Sequence, residues 1–332
     1  MRMSRPVTML SLVAASALVL AGCSSDGGDA EADAPAGDES ASTIEVEDNN
    51  GAQTVTVPPN SVVATDNRTF ETLSDWGVEL TAGAVSLMPD TIDYVDDDSI
   101  VDLGSHREPD LEAVVAVEPD LIVNGQRFSQ YHDQFADLAP DATILELDPR
   151  EGEPFDAELK RQVEVLGEVF GKQDEAAQLG ADLDDSIERV KAAYDSGETV
   201  MAVITSGGEI GYSAPGNGRT FGPVFDILGL TPSLEVDESS DDHQGDDISV
   251  EAIADSNPDW ILVMDRDAAV ASDDPEYSPA AEVLEDSEAL AGVTAVKESQ
   301  IVYMPADTYT NEGIQTYTEF FSELADALEA AN

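Results

Sequence analysis

Three arginines stand where a bound molecule could meet them. Arg127 follows Asn124-Gly125-Gln126 behind an apolar run. Arg219 lies in the glycine-rich Asn217-Gly218-Arg219-Thr220-Phe221-Gly222, and Arg266 ends Val263-Met264-Asp265-Arg266. Loops at the C-terminal ends of strands are where open α/β sheets bind ligands. A guanidinium stays charged when partly buried and stacks on aromatic rings, so it suits an aromatic anion better than lysine does. Each arginine alone could equally pair with a nearby carboxylate. Two further residues could add chemistry. His243 sits in a Gly/Asp-rich loop, where a lone histidine reads first as a solvated turn residue. Tyr309 follows Val302-Tyr303-Met304, where a lone tyrosine reads first as core or interface.

The elements that position these residues include one unit used twice. Asp110 to Val123 and Ser249 to Val263 share a Glu, a following Ala, a Pro-Asp pair and an apolar strand. Glu112 precedes Pro119 by seven positions, as Glu251 precedes Pro258. Asp110 and Ser249 are suited to cap the helix starts, and each Glu falls in the first turn, where the helix dipole favours it. Each Pro stops its helix and moves the preceding residue out of the helical region. Two copies predict two similar lobes. Strands are expected near 61–65, 78–84, 99–103, 121–124 and 143–147, then near 199–205, 260–265 and 300–304. Helical spacing is expected over 156–170, 174–194 and 314–330. Alternating strands and helices indicate an α/β fold. The glycine-rich stretch around Arg219 lacks the Lys-Ser/Thr ending of a phosphate loop.

At the front, Arg2 and Arg5 precede an apolar run and then Leu20-Ala21-Gly22-Cys23, which reads as an export signal with a lipobox. Cys23 is the only cysteine, which leaves no intramolecular disulfide. Lipid on Cys23 would anchor the chain outside the cytoplasmic membrane. Residues 1–22 are thus read as signal peptide and 23–53 as the lipidated Cys with a disordered acidic tether. Residues 54–155 are read as the first lobe, 156–172 as the linking helix and 173–332 as the second lobe. With 14 Lys+Arg against 71 Asp+Glu, the formal charge is −57. That balance excludes a nucleic-acid partner and suits a salty habitat.

The Glu…Pro-Asp-apolar unit in both halves, with the three arginine segments and the Val302-Tyr303-Met304 to Tyr309 stretch, resembles a known family. It is the siderophore-binding lipoproteins of ABC importers, two Rossmann-like lobes joined by one long α-helix, the helical-backbone class III periplasmic binding fold. Within that family the chain looks closest to the branch that binds catecholates of the enterobactin and petrobactin kind. The resemblance implies that Arg127, Arg219, Arg266, His243 and Tyr309 hold a ferric siderophore. It implies that His243 and Tyr309 ligate Fe(III) at two coordination positions left open by a tetradentate ligand; phenolate and imidazole both suit iron. Glu112 and Glu251 would dock on an ABC permease dimer powered by a cytoplasmic ATPase. The protein would be a monomer without an intrinsic cofactor, attached to the membrane through its lipid only. His243 stands one residue further from Ile248 than the family's pattern places it.

The chain shows no Gly-x-Ser-x-Gly elbow and no His-Glu-x-x-His zinc helix, so an exported hydrolase is disfavoured and no enzyme activity is expected. A vitamin B12 or haem receptor on the same scaffold and a surface adhesion protein are the other readings. Three arginines with a His-Tyr pair favour an anionic iron complex over a neutral corrinoid.

Overall fold

The computed structural model describes residues 42–236 and 239–331. The export signal, Cys23 and the tether up to Ala41 lie outside the described residues. Among the described residues no helix is long and apolar enough to cross a membrane.

The chain opens with a hairpin of β1 (Ser42–Asp48) and β2 (Gly51–Val57). This corrects the expectation that the tether extends to residue 53. The acidic residues of the stretch conceal a period of two: Glu45 and Glu47 face outward while Val46 is buried and opposes the same face as buried Val55. The hairpin tip docks on the sheet behind it. Asn49 N–H donates to Glu146 O at 2.9 Å, and Asp48 accepts from Glu146 N at 3.0 Å.

The first lobe then builds β3 (Val62–Ala64), α1 (Phe70–Asp75), β4 (Ala82–Gly83), β5 (Val101–Asp102), α2 (Leu111–Ala116), β6 (Leu121–Asn124), α3 (His132–Leu138) and β7 (Thr143–Glu146). Its five strands run parallel in the order β5-β4-β3-β6-β7. Between β6 and α3 the chain runs through a 3₁₀ stretch, Gln126–Tyr131.

Helix α4 (Phe155–Phe170) leads out of this lobe. Leu159, Val163, Leu166 and Val169 recur at helical spacing and are all buried. Gly171 ends the helix in the left-handed conformation that lacks a steric penalty only for glycine. Helix α5 (Gln173–Ala193) follows at once and packs so closely on α4 that a Cβ at Gly167 would meet Ala176 Cβ at 2.8 Å. The linking helix expected over 156–172 is therefore seated among neighbours rather than free.

The second lobe contains β8 (Val200–Ser206), β9 (Glu209–Tyr212), α6 (Gly222–Leu228), β10 (Asp246–Asp247), α7 (Val250–Ser256), β11 (Trp260–Asp265), α8 (Arg266–Val270), α9 (Ala280–Glu285), α10 (Thr294–Glu298), β12 (Ile301–Tyr303) and α11 (Ile314–Ala331). Its sheet has the order β10-β9-β8-β11-β12, with β8, β11 and β12 parallel and β9 antiparallel to β8. Arg189 of α5 bonds Asp326 and Glu329 of α11.

The repeated unit has the same construction in both lobes. Asp110 caps α2 by accepting from Ala113 N at 3.0 Å, and Ser249 caps α7 by accepting from Ala252 N at 3.1 Å. Glu118 and Asn257, each before its Pro, share φ 45. Each Pro-Asp carboxylate then ties down the start of the neighbouring strand. Asp120 accepts from Asn60 N at 2.8 Å and Ser61 N at 3.0 Å; Asp259 accepts from Thr199 N at 2.7 Å and its hydroxyl at 3.0 Å. The carboxylate satisfies strand-end donors that would otherwise go unpaired, which accounts for Asp after Pro in both copies.

Candidate functional site

Arg127 and Arg266 are carried to the cleft by the C-terminal ends of the parallel strands β6 and β11, and Arg219 by the loop between β9 and α6. Tyr309 comes from the segment after β12. The structure brings these four together. The guanidinium carbons of Arg127, Arg219 and Arg266 lie 4.9, 5.3 and 4.7 Å from the centroid of the Tyr309 ring. All three are within cation–π range of one aromatic face system. Tyr309 is only 5% exposed, so these charges converge on a nearly buried phenol.

That convergence shifts the phenol. Burial pushes its pKa up, but the charge of Arg127, followed by the donors and charge of Arg266, outweighs burial, and the net direction is below 10. Tyr309 is thereby biased toward phenolate, the form that binds a hard metal ion.

The arginines differ in how their charge is offset. Arg127 has no carboxylate within ion-pair distance among the described residues. Arg266 Nη1 lies 2.9 Å from Asp267 and 3.3 Å from Ser206 Oγ. Arg219 lies 3.5 Å from Glu312, a carboxylate 3% exposed. Burial pushes Glu312 up, but Arg219 and then Arg68 more than reverse this and hold it below its usual range. The outcome is a compact positive spot inside a chain of formal charge −57, a field that focuses an anion on one place.

The backbone beside two of these arginines is unusual. Gln126, just before Arg127, has φ 52, and Thr220, just after Arg219, has φ 65. Left-handed backbone at such residues is held only where surrounding bonds over-determine it. Gln126 N–H donates to both oxygens of Asp148 at 2.8 and 2.9 Å. Thr220 Oγ1 donates to Glu312 at 2.8 Å.

Not every expected residue joins the cluster. His243 is half exposed, and its polar partner among the described residues is the adjacent Asp242, 3.8 Å away. Its loop is nonetheless tied to the site, because Gln244 Nε2 donates to Ser206 Oγ at 3.0 Å, the oxygen that Arg266 also contacts. Glu112 and Glu251 are exposed in the first turns of α2 and α7. His132, partly exposed, pairs with Glu146 of the first lobe at 2.9 Å. Among the described residues no group of three His, Cys, Asp or Glu could hold a metal ion unaided. Sequence reasoning missed Arg68, Asp148 and Glu312, which stand behind the arginines.

A small open pocket beside Tyr309, bordered by Thr65, Asn67, Gln126, Arg127 and Phe128, has a volume of ≈ 30 Å³. A larger cavity of ≈ 520 Å³, bordered by Ala268 after Arg266 and by Pro305 and Asp307 before Tyr309, has Glu71, Asp90, Asp307 and Glu319 among its lining residues. Four carboxylates repel an anion, so the arginine cluster is the better anion site although the pocket beside it is smaller.

Comparison with known proteins agrees with this architecture. The chain is 29% identical over 287 residues to the petrobactin-binding protein YclQ of Bacillus subtilis, covering 85% of this chain and 86% of YclQ. It is 28% identical over 275 residues to the ferric-anguibactin-binding protein FatB of Vibrio anguillarum, covering 80% of this chain and 81% of FatB. The YclQ crystal structure superposes with a TM-score of 0.73 at 25% identity, over 87% of this chain and 99% of that one. The catecholate-siderophore binding protein VctP of Vibrio cholerae shares the fold, with a TM-score of 0.74 at 23% identity over 85% of this chain and 99% of that one. The periplasmic binding protein model Peripla_BP_2 matches residues 62–308, and the chain belongs to that family.

Proposed function

We propose that the protein is an extracytoplasmic receptor that captures a ferric siderophore of catecholate type and delivers it to an ABC permease for iron uptake. The observation that carries this reading is the convergence of Arg127, Arg219 and Arg266 on Tyr309. A ferric catecholate complex is anionic and aromatic, and the cluster offers planar donors, positive charge and a stacking surface in one place. The printed names of YclQ and FatB, for petrobactin and ferric anguibactin, support the same ligand class. The iron is cargo, held mainly by its siderophore. In this reading Tyr309 supplies a phenolate oxygen to an open iron position, and His243 supplies imidazole if its loop turns inward on binding. The protein acts as a monomer by binding and release, not by catalysis. Cys23 carries the lipid that holds it to the outer face of the cytoplasmic membrane. Exposed Glu112 and Glu251, at equivalent places in the two lobes, meet the permease.

A fluorescence-quenching titration with ferric catecholates, ferric hydroxamates, haem and vitamin B12 tests the reading. Tightest binding is expected for a ferric catecholate with open coordination positions. Preference for haem or B12, or no response to any ferric complex, contradicts it.

A further inference from the structure

Arg68 lies just after β3 in the first lobe, and its side chain is 13% exposed. It pairs with Asp148 at 3.4 Å and with Glu312 at 3.5 Å. These two carboxylates pin the two left-handed residues of the site. Asp148 holds the N–H of Gln126 beside Arg127 and also accepts from Ser129 Oγ at 2.8 Å. Glu312 holds the hydroxyl of Thr220 beside Arg219, lies 3.1 Å from the Tyr317 hydroxyl and contacts Arg219 itself. With its amide oxygen turned toward Arg68, Gln126 also accepts from the guanidinium at 2.6 and 2.9 Å.

We propose that Asp148, Arg68 and Glu312 form a positioning device, partly buried at Asp148 and Arg68 and fully buried at Glu312, that fixes Arg127 of the first lobe in register with Arg219 of the second. The inference rests on the reading of these arginines as ligand contacts. Its physical basis is reach. One planar guanidinium has donors enough to engage two carboxylates at once, and each carboxylate over-determines a backbone conformation that would otherwise relax. Removing the centre leaves buried Glu312 and half-buried Asp148 each short of a partner, and Gln126 and Thr220 are then free to carry their arginines away from Tyr309. None of the three residues needs to touch the ligand. They belong to the site because preorganised donors bind more tightly than donors that must be ordered on binding.

The test is a double-mutant cycle read by affinity for Fe(III) loaded on a synthetic tetradentate bis(2,3-dihydroxybenzoyl) chelator. Arg68→Gln is expected to weaken binding about 10-fold in the otherwise unchanged protein. In the Arg127→Gln, Arg219→Gln background the same change is expected to cost less than about 2-fold, because nothing is left to position. Arg68→Lys, which keeps the charge but loses the fork, is expected to fall between. If Arg68→Gln does not fold, Glu312→Gln tested against Arg219→Gln examines the same device from its other end, since the amide can still accept from Thr220. Equal losses in both backgrounds, or no loss in either, overturn the positioning role. If Arg127→Gln with Arg219→Gln leaves affinity unchanged, it is the assignment of the binding arginines that fails, and the device with it.

Discussion

Arg266→Gln isolates one cation of the proposed site. Its guanidinium sits 4.7 Å from the Tyr309 centroid and is the nearest of the three. A charge-assisted hydrogen bond to a catecholate oxygen contributes ~1.5–3 kcal/mol. Stacking of the same group on a ligand ring adds ~0.5–1 kcal/mol. Against this, Nη1 already lies 2.9 Å from Asp267, and sharing that ion pair with the ligand reduces the gain. The expected net loss is ~1–3 kcal/mol, roughly 5- to 150-fold in affinity. Arg266→Lys should recover only part, because the planar donor face is lost. The control must be an arginine whose removal leaves the fold intact. Arg150 is unsuitable, since it donates twice from its side chain to buried Glu158. Arg189, which reaches Asp326 and Glu329 from an exposed position, is suitable. Quenching titrations at several salt concentrations provide the assay. If Arg189→Gln costs as much affinity as Arg266→Gln, the loss reflects overall charge and the site is misplaced.

Two further outcomes follow from other parts of the molecule. Stability should peak at mildly acidic pH. Burial alone would raise Glu158, but Arg150 and Arg161 hold it down from 4.5 to about 2, so the stability it contributes is complete above 4.5 and is lost as pH falls toward 2. Asp66 has the opposite sign. Burial, then the charge of Asp148, raise it from 3.8 to about 7 despite Arg68, so the folded chain keeps a proton that the unfolded chain releases, and stability falls as pH rises through that window. Denaturant midpoints across pH should show both limbs, and Asp66→Asn should flatten the upper one; an unchanged upper slope contradicts the assignment. At the docking face, Glu112→Ala with Glu251→Ala should preserve siderophore affinity yet lower uptake by cells. Normal uptake would leave these residues as helix-dipole partners, worth ~0.3–1 kcal/mol each.

Much of the fold was legible because its signals are local. Caps, Pro stops and apolar runs are set by neighbouring residues, and the repeated unit carries all three, its strands being buried almost throughout. The hairpin of Ser42 to Val57 was harder, because its outward face is as acidic as a disordered tether and only Val46 and Val55 betray the buried side. The three arginines stood out because arginine is scarce in this chain and they fall at strand ends or in a glycine-rich loop, whereas Tyr309 was singled out by the resemblance alone. The carboxylates behind them were not. Asp148 and Glu312 are two of 71 acidic residues, and nothing in their sequence neighbours separates a carboxylate turned inward from a solvated one. Arg68 also follows a strand, as Arg127 does, but its side chain turns to Asp148 and Glu312 rather than to Tyr309, a direction set by tertiary packing. His243 shows the reverse case. It stands one residue further from Ile248 than the resemblance requires, and its loop leaves it half exposed beside Asp242.

The most direct measurement is the visible absorption of the protein saturated with a ferric tetradentate bis-catecholate, for the wild type and for Tyr309→Phe. If the ligand rests on Tyr309 beneath the three arginines, the wild type gains a phenolate-to-iron charge-transfer contribution over the free complex, and Tyr309→Phe abolishes it while weakening binding. Identical spectra and equal affinities for the two proteins would contradict the account, because no ligand could then be touching the residue on which the site converges.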